Sequence, residues 1–188
     1  MARVPRTTVE GTFYRHAHVG TRDLRGSNAG GRWGPPGGFE VLYLGRPEPS
    51  VVIEAHRHLV EAVEGMRPDL VGPRALIAVA VAVGNVADLR DAAARVQLGL
   101  PDEVIFSAAR DPDAYQECRL VARAAHQLEL HGIIAPAAGR FGGETLALFP
   151  AHLPVAEQPR IIDVAIWSTL PADPRQLRAL QRTEADEG

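Results

Sequence analysis

Polar and apolar residues alternate through GTFYRHAHV, residues 11–19, with Phe13 and Arg15 on one side of an extended chain and Tyr14 on the other, which predicts a first strand. Residues 20–38 carry no such period; they are polar and then glycine-rich, and predict a long loop. FEVLYLG (39–45) is a second strand. RPEPS breaks it and opens a helix to about residue 64, with Pro49 in the first turn, where a missing N–H costs nothing, and Val52, Leu59 and Val63 along one face. RALIAVAVAV (74–83) is continuously apolar and reads as a buried strand. Two helices follow: an alanine-rich one over 86–99 closed by Gly99, and a longer one over 111–132 capped by Asp113 and ended by Gly132. IIAPAA and TLALFP are strands joined by the turn GRFGG, and residues 160–170 form the last strand. The charged tail, 171–188, has room for a short helix. There is no repeat, no linker and no regular βαβ series, so the expected fold is α+β, one domain over residues 1–170 with a mixed sheet and flanking helices.

Composition narrows the function classes. With 188 residues, 46% of them apolar, the chain buries a core without staples. One cysteine, Cys118, excludes an internal disulfide; mid-helix and without a paired histidine, it reads as a buried structural thiol rather than a nucleophile. A net charge of −3 gives no ground for a nucleic-acid-binding surface. All 20 basic residues are arginine, a compositional bias that makes each arginine informative only through its neighbours. MARVPRTTVEG has no apolar signal region, and the run Ala75–Val83 is too short to span a bilayer, so the expected location is cytoplasmic.

GGRWGPPGG (30–38) needs its own explanation. Glycines 30, 31, 37 and 38 let backbone approach a ligand, and turn N–H groups favour anions. Arg32 beside them offers a planar fork suited to phosphate. The motif does not open a helix as a dinucleotide fingerprint must, so a Rossmann reading fails. Arg15 in the first strand, Tyr43 in the second and Glu54 amid VVIEAHRH are close enough along the chain to converge with Arg32 on one cleft. Each also has a plain structural reading: Arg15 paired with a carboxylate, Trp33 and Tyr43 in the core, Glu54 solvated on its helix. His56 and His58 with Glu54 do not form a zinc motif, because H-x-H on a helix splits the rings between faces, so no metal is expected. His126 and His131 are assigned to a helix surface.

In order and spacing, FYRH, GGRWGPPG, VLYLG and SVVIEAHRH resemble the RES-domain family, with HGIIAPAAGR and LALFP following as later strands. The resemblance implies a fold similar to ADP-ribosyltransferases. It also implies a toxin of a toxin–antitoxin pair that consumes NAD⁺ by hydrolysis or phosphorolysis of the nicotinamide–ribose bond. The alternatives it leaves are ADP-ribosylation of a protein target and a weakened NAD-binding module. The implied partner is a helical DNA-binding antitoxin, in an assembly with more than one toxin; no direct nucleic-acid or membrane contact is implied. On the match, Glu54, Arg32 and Tyr43 are catalytic, and Arg15, Gly31, Arg32, Tyr43 and Gln116 hold NAD. Two positions depart from the family pattern: Gly34 stands where asparagine is usual, and Gln116 aligns with the expected serine, Ser107 being the nearest serine.

Overall fold

A computed structural model describes residues 1, 4–21, 23–109, 111–139 and 142–176. The elements are β1 (Arg6–His18), β2 (Leu42–Arg46), α1 (Glu48–His56), β3 (Arg74–Asp88), α2 (Ala92–Val96), α3 (Asp102–Ile105), α4 (Pro112–Gln127), β4 (Gly132–Pro136), β5 (Glu144–Leu148) and β6 (Arg160–Trp167). β1, β2, β5, β4 and β3 pair in that order, and β3 returns to β1, so the five strands close on themselves. β6 lies alongside β3. Among the described residues β3 and β4 pair parallel and the other ladders are antiparallel. The architecture is the expected α+β arrangement of a mixed sheet with helices.

Closure follows from side-chain alternation. Val9, Phe13, Ile77, Val79, Val81 and Leu146 point to one interior and form a buried cluster. Fully burying side chains of this size is worth roughly 1.5–3 kcal/mol each. A second cluster under α4 joins Trp33, Leu100, Cys118, Ala122, Ile133 and Phe149. Cys118 is fully buried, and that burial raises its thiol pKa, as a structural thiol requires.

Several boundaries differ from the sequence reading. β1 begins at Arg6, where it already pairs with Ala87 of β3. β3 runs on to Asp88 instead of yielding to a helix at 86: Val86 and Ala87 are fully buried against Gly132 and Ile133, so sheet burial overrides the helix preference of the alanine-rich run. The helix there is the short α2, capped by Asp91, whose carboxylate accepts from the Ala94 N–H at 3.1 Å. α4 is capped by Asp111 rather than Asp113, because Asp111 Oδ1 accepts from both the Asp113 and Ala114 N–H groups. It ends at Gln127, and Gly132 opens β4. The first helix spans Glu48–His56 and loosens into a π-turn over Arg57–Glu61. β2 starts at Leu42 because Phe39 turns to stack on His126, ring centroids 4.1 Å apart. β6 stops at Trp167. His126 thus lies in a ring cluster with Phe39 and Phe149 rather than bare on a helix surface, and His131 lies beyond the helix with Nδ1 2.8 Å from Glu157. Arg140 and Phe141 of the GRFGG turn, and residues 177–188 of the tail, lie outside the described residues. The start of the tail is tied to α1: the Pro171 carbonyl is 2.8 Å from His56 Nε2, and Arg175 pairs with Glu61 and Asp173.

Candidate active site

A cavity of about 390 Å³ opens between α1, the 30–34 loop, β1 and β2. Its size falls within the range of small-molecule sites. Arg15, Gly31, Arg32, Tyr43 and Glu54 all border it.

One wall is the glycine-rich loop laid against β2. The Tyr43 hydroxyl accepts from the Trp33 N–H at 2.9 Å, and burial pushes the phenol pKa upward, so it stays protonated. A Cβ at position 31 would sit 2.6 Å from that hydroxyl oxygen, which is why glycine stands there. Position 34 is similarly tight, with a Cβ 3.0 Å from Val41 Cγ2 and 3.4 Å from the Tyr43 oxygen. The Gly31 carbonyl, turned outward, accepts from Arg119 Nε at 2.9 Å. Trp33 is 2% exposed, so it serves both core and cavity lining.

Arg32 is held more firmly than a bare phosphate fork. Its NH1 donates to the Val104 carbonyl at 2.8 Å and to Ser107 Oγ at 3.0 Å, and NH2 to the Ser107 carbonyl at 3.3 Å. Its guanidinium lies 4.5 Å from the Tyr115 ring centroid, and Arg119 approaches the same ring at 5.4 Å. Both NH1 protons are committed, so Arg32 brings to the cavity mainly its charge and the ordering of the 104–107 segment.

Glu54 sits in α1 between apolar neighbours. Its Oε1 is buried with no hydrogen-bond partner among the described residues, and so is Arg57 Nε, which lies 3.6 Å away. That distance is an ion pair without a hydrogen bond. Arg57 is buried, and its NH2 donates to the Ser107 carbonyl at 2.7 Å. The other carboxylate oxygen, Oε2, is 3.9 Å from His58 Nε2. A half-buried carboxylate whose buried oxygen makes no hydrogen bond among the described residues, beside a cavity, is placed to meet positive charge.

On β1, Arg15 NH1 donates to the Arg25 carbonyl at 2.9 Å, and burial lowers the guanidinium pKa, with Asp23 opposing that shift. His16 is pushed down to about 3 by burial, with Arg74, His58 and Arg15 adding repulsion, so it is neutral.

Of the residues proposed from sequence, five share the cavity and Gln116 does not; its side chain is exposed on α4. The neighbouring Tyr115 faces inward instead. The signal was available: Tyr115, Cys118, Ala122 and Ala125 recur at helical spacing and are all buried, which places residue 116 on the solvent face. Ser107, Arg57, His16 and His58 were also missed. Ser107 and Arg57 act through hydrogen bonds between segments distant in sequence, which no local pattern signals. Among the described residues no group of three or more His, Cys, Asp or Glu could hold a metal, and no helix is long and apolar enough to cross a membrane.

Comparison with known proteins identifies the family. The chain is 31% identical over 134 residues to NAD(+) phosphorylase MbcT of Mycobacterium tuberculosis, covering 70% of this chain and 69% of that protein. It is 33% identical over 166 residues to a "Probable NAD(+) phosphorylase" of the same organism, covering 85% and 74%. The crystal structure of the M. tuberculosis MbcT–MbcA toxin–antitoxin complex contains a chain that superposes with a TM-score of 0.76 at 27% identity, covering 95% of this chain and 93% of that one. Residues 6–178 match the RES domain. With Arg15, Arg32, Tyr43 and Glu54 around one cavity and the domain match spanning nearly the whole sequence, the chain belongs to the RES domain family.

Proposed function

We propose that this protein degrades NAD⁺ by breaking the bond between nicotinamide and ribose, with inorganic phosphate or water as acceptor, and that it is the toxin of a toxin–antitoxin pair. The observation that carries this reading is Glu54 Oε1, buried and without a hydrogen bond, on the wall of a cavity that also holds Arg15, Arg32 and Tyr43. Loss of nicotinamide leaves positive charge on the ribose ring, as in glycoside cleavage. A partly desolvated carboxylate fixed in advance stabilises that charge more than it stabilises the ground state. The arginines offset the diphosphate of the dinucleotide. Arg15 takes the larger share of direct contact, since Arg32 is partly spent on Val104 and Ser107. The Tyr43 ring forms a flat wall for the nicotinamide end. Names and complexes of the relatives support both the reaction and the antitoxin partner. A toxin acting on the NAD⁺ pool works in the cytoplasm.

The test is incubation of purified protein with NAD⁺, with and without phosphate, and chromatographic identification of products. Nicotinamide with ADP-ribose or ADP-ribose 1″-phosphate is the expected result. Intact NAD⁺ after prolonged incubation contradicts the reading, and label transferred to a protein would move it to ADP-ribosylation.

A further inference from the structure

β6 carries its apolar side chains on one face and leaves most of them uncovered. Val164 and Ile166 are in register with Ile77 and Ala75 of β3, and Ile161 with Val79, so all three lie on the sheet face that holds the core cluster. A bulge at Ile162, between the Asp163–Ala78 and Ile161–Val79 partners, keeps Ile162 on that face as well. The opposite face has Arg160, Asp163, Ala165 and Trp167. Val164 packs against the core, but Ile161, Ile162 and Ile166 are 37%, 55% and 47% exposed. Single apolar residues scattered over a surface need no partner, whereas three on one face of one strand form a patch. Among the described residues β6 pairs with β3 alone, so its outer edge presents a row of backbone N–H and C=O groups without a strand partner. Beyond Trp167 the chain turns away to α1, where Pro171 and Arg175 are tied to His56 and Glu61. Residues 177–188, LRALQRTEADEG, hold two leucines and no other large apolar side chain, too little to cover the strand.

We propose that the outer edge of β6 is the interface of a symmetric dimer, in which the strand pairs antiparallel with β6 of a second copy about a two-fold axis at Val164. The strand is self-complementary in that register. Val164 meets the partner's Val164, and Ile162 and Ile166 meet the partner's Ile166 and Ile162, β-branched pairs of the kind that stabilise antiparallel ladders. Asp163 faces the partner's Ala165. A register centred on Asp163 instead would set two carboxylates directly opposite each other, which is destabilising. Arg160 and Asp163 leave the strand without net charge, so two copies do not repel. A two-fold pair of this kind is closed, and assembly through this edge stops at two chains. No residue of β6 lines the cavity, so the pairing leaves both cavities open.

The experiment is sedimentation equilibrium of the full chain over a wide concentration range, for the parent, Ile162→Lys, Ile166→Glu and an equimolar mixture of the two variants. A single strand pair is a small interface beside the roughly 800 Å² per partner of a stable complex, so the parent is expected to pass from monomer to dimer as concentration rises. Each variant alone is expected to raise the dissociation constant about tenfold or more, because symmetry removes two isoleucine contacts per dimer. The mixture is expected to recover dimer as mixed pairs, since the introduced lysine of one chain then faces the introduced glutamate of the other. Both positions are about half exposed, so each variant keeps the parent's unfolding midpoint at low concentration. Val164→Cys gives an independent measurement: facing Cα atoms on the axis are about 4.5–5.5 Å apart, within disulfide reach, and oxidation is expected to yield a covalent dimer. A parent that stays monomeric at every concentration overturns the proposal. So does a dimer that tolerates both substitutions, or a failure to cross-link through position 164. A monomeric parent whose binding to a cognate antitoxin is lost in the two variants also overturns it, and gives the edge to the antitoxin.

Discussion

On one side of the cavity, residues 30–34 lie against β2 at van der Waals closeness, fixed by the hydroxyl of Tyr43 on the Trp33 amide and by the absence of a side chain at Gly31. Behind Arg32, the 104–107 segment forms a backing wall that does not itself line the cavity; it hangs from two arginines, whose guanidiniums reach the carbonyls of Val104 and Ser107 from Arg32 and Arg57. The first wall is packed; the second is tied by charge-assisted hydrogen bonds. Packing tolerates no added volume, whereas a tied wall tolerates volume but not the loss of a donor. Glu54 stands where the two meet, with Arg57 3.6 Å from its buried oxygen.

Each side can be broken separately. Glu54→Gln removes the charge shared by both walls and keeps the shape; nicotinamide release is expected to fall about 10²–10³-fold, the usual loss for one preorganised electrostatic partner. Arg57→Met cuts the tied wall. It leaves the Ser107 carbonyl with only the longer 3.3 Å bond from Arg32; losing a hydrogen bond to a charged group costs about 1.5–3 kcal/mol in denaturant unfolding, and kcat should fall with KM little changed because Glu54 loses its nearest cation. Gly31→Ala strains the packed wall, since the new methyl meets the Tyr43 oxygen at 2.6 Å; overpacking of this kind costs about 1–3 kcal/mol.

A smaller effect comes from His16. Its folded pKa of about 3 lies below the ordinary 6.5. The unfolded chain therefore takes up a proton that the folded chain refuses. Stability is undiminished by this group above the ordinary value and is lost as pH falls toward the folded one. Unfolding midpoints measured across that window should decline with acid in the parent and decline less in His16→Gln. The smallest effect is expected at Gln116→Ala, an exposed position outside the cavity, where stability should change by about 0.5 kcal/mol or less and NAD⁺ turnover should hold.

The packed wall was legible in the sequence because its chemistry is local. Glycines around one arginine, a strand aromatic and a helix glutamate follow within a short stretch, and Arg15, Gly31, Arg32, Tyr43 and Glu54 do share one cavity. The tied wall was not, because its bonds join Arg32 and Arg57 to backbone carbonyls far along the chain, and a carbonyl has no residue type to read. Ser107 looked unaligned, yet its hydroxyl accepts from Arg32 at 3.0 Å. Placing Gln116 rather than Tyr115 in the site came from alignment by motif where helical periodicity points the other way. The strands are legible, but the alanine content of 86–88 points to helix, and pairing with β1 on one side and β4 on the other makes them sheet.

The most direct test is a crystal structure of the Glu54→Gln variant, slow enough to hold its substrate, grown with NAD⁺. The account predicts the dinucleotide in the cavity between α1 and the 30–34 loop, with the nicotinamide ribose against position 54 and the diphosphate near Arg15. A dinucleotide bound elsewhere on the molecule, or bound in this cavity with its nicotinamide ribose away from position 54, would contradict it.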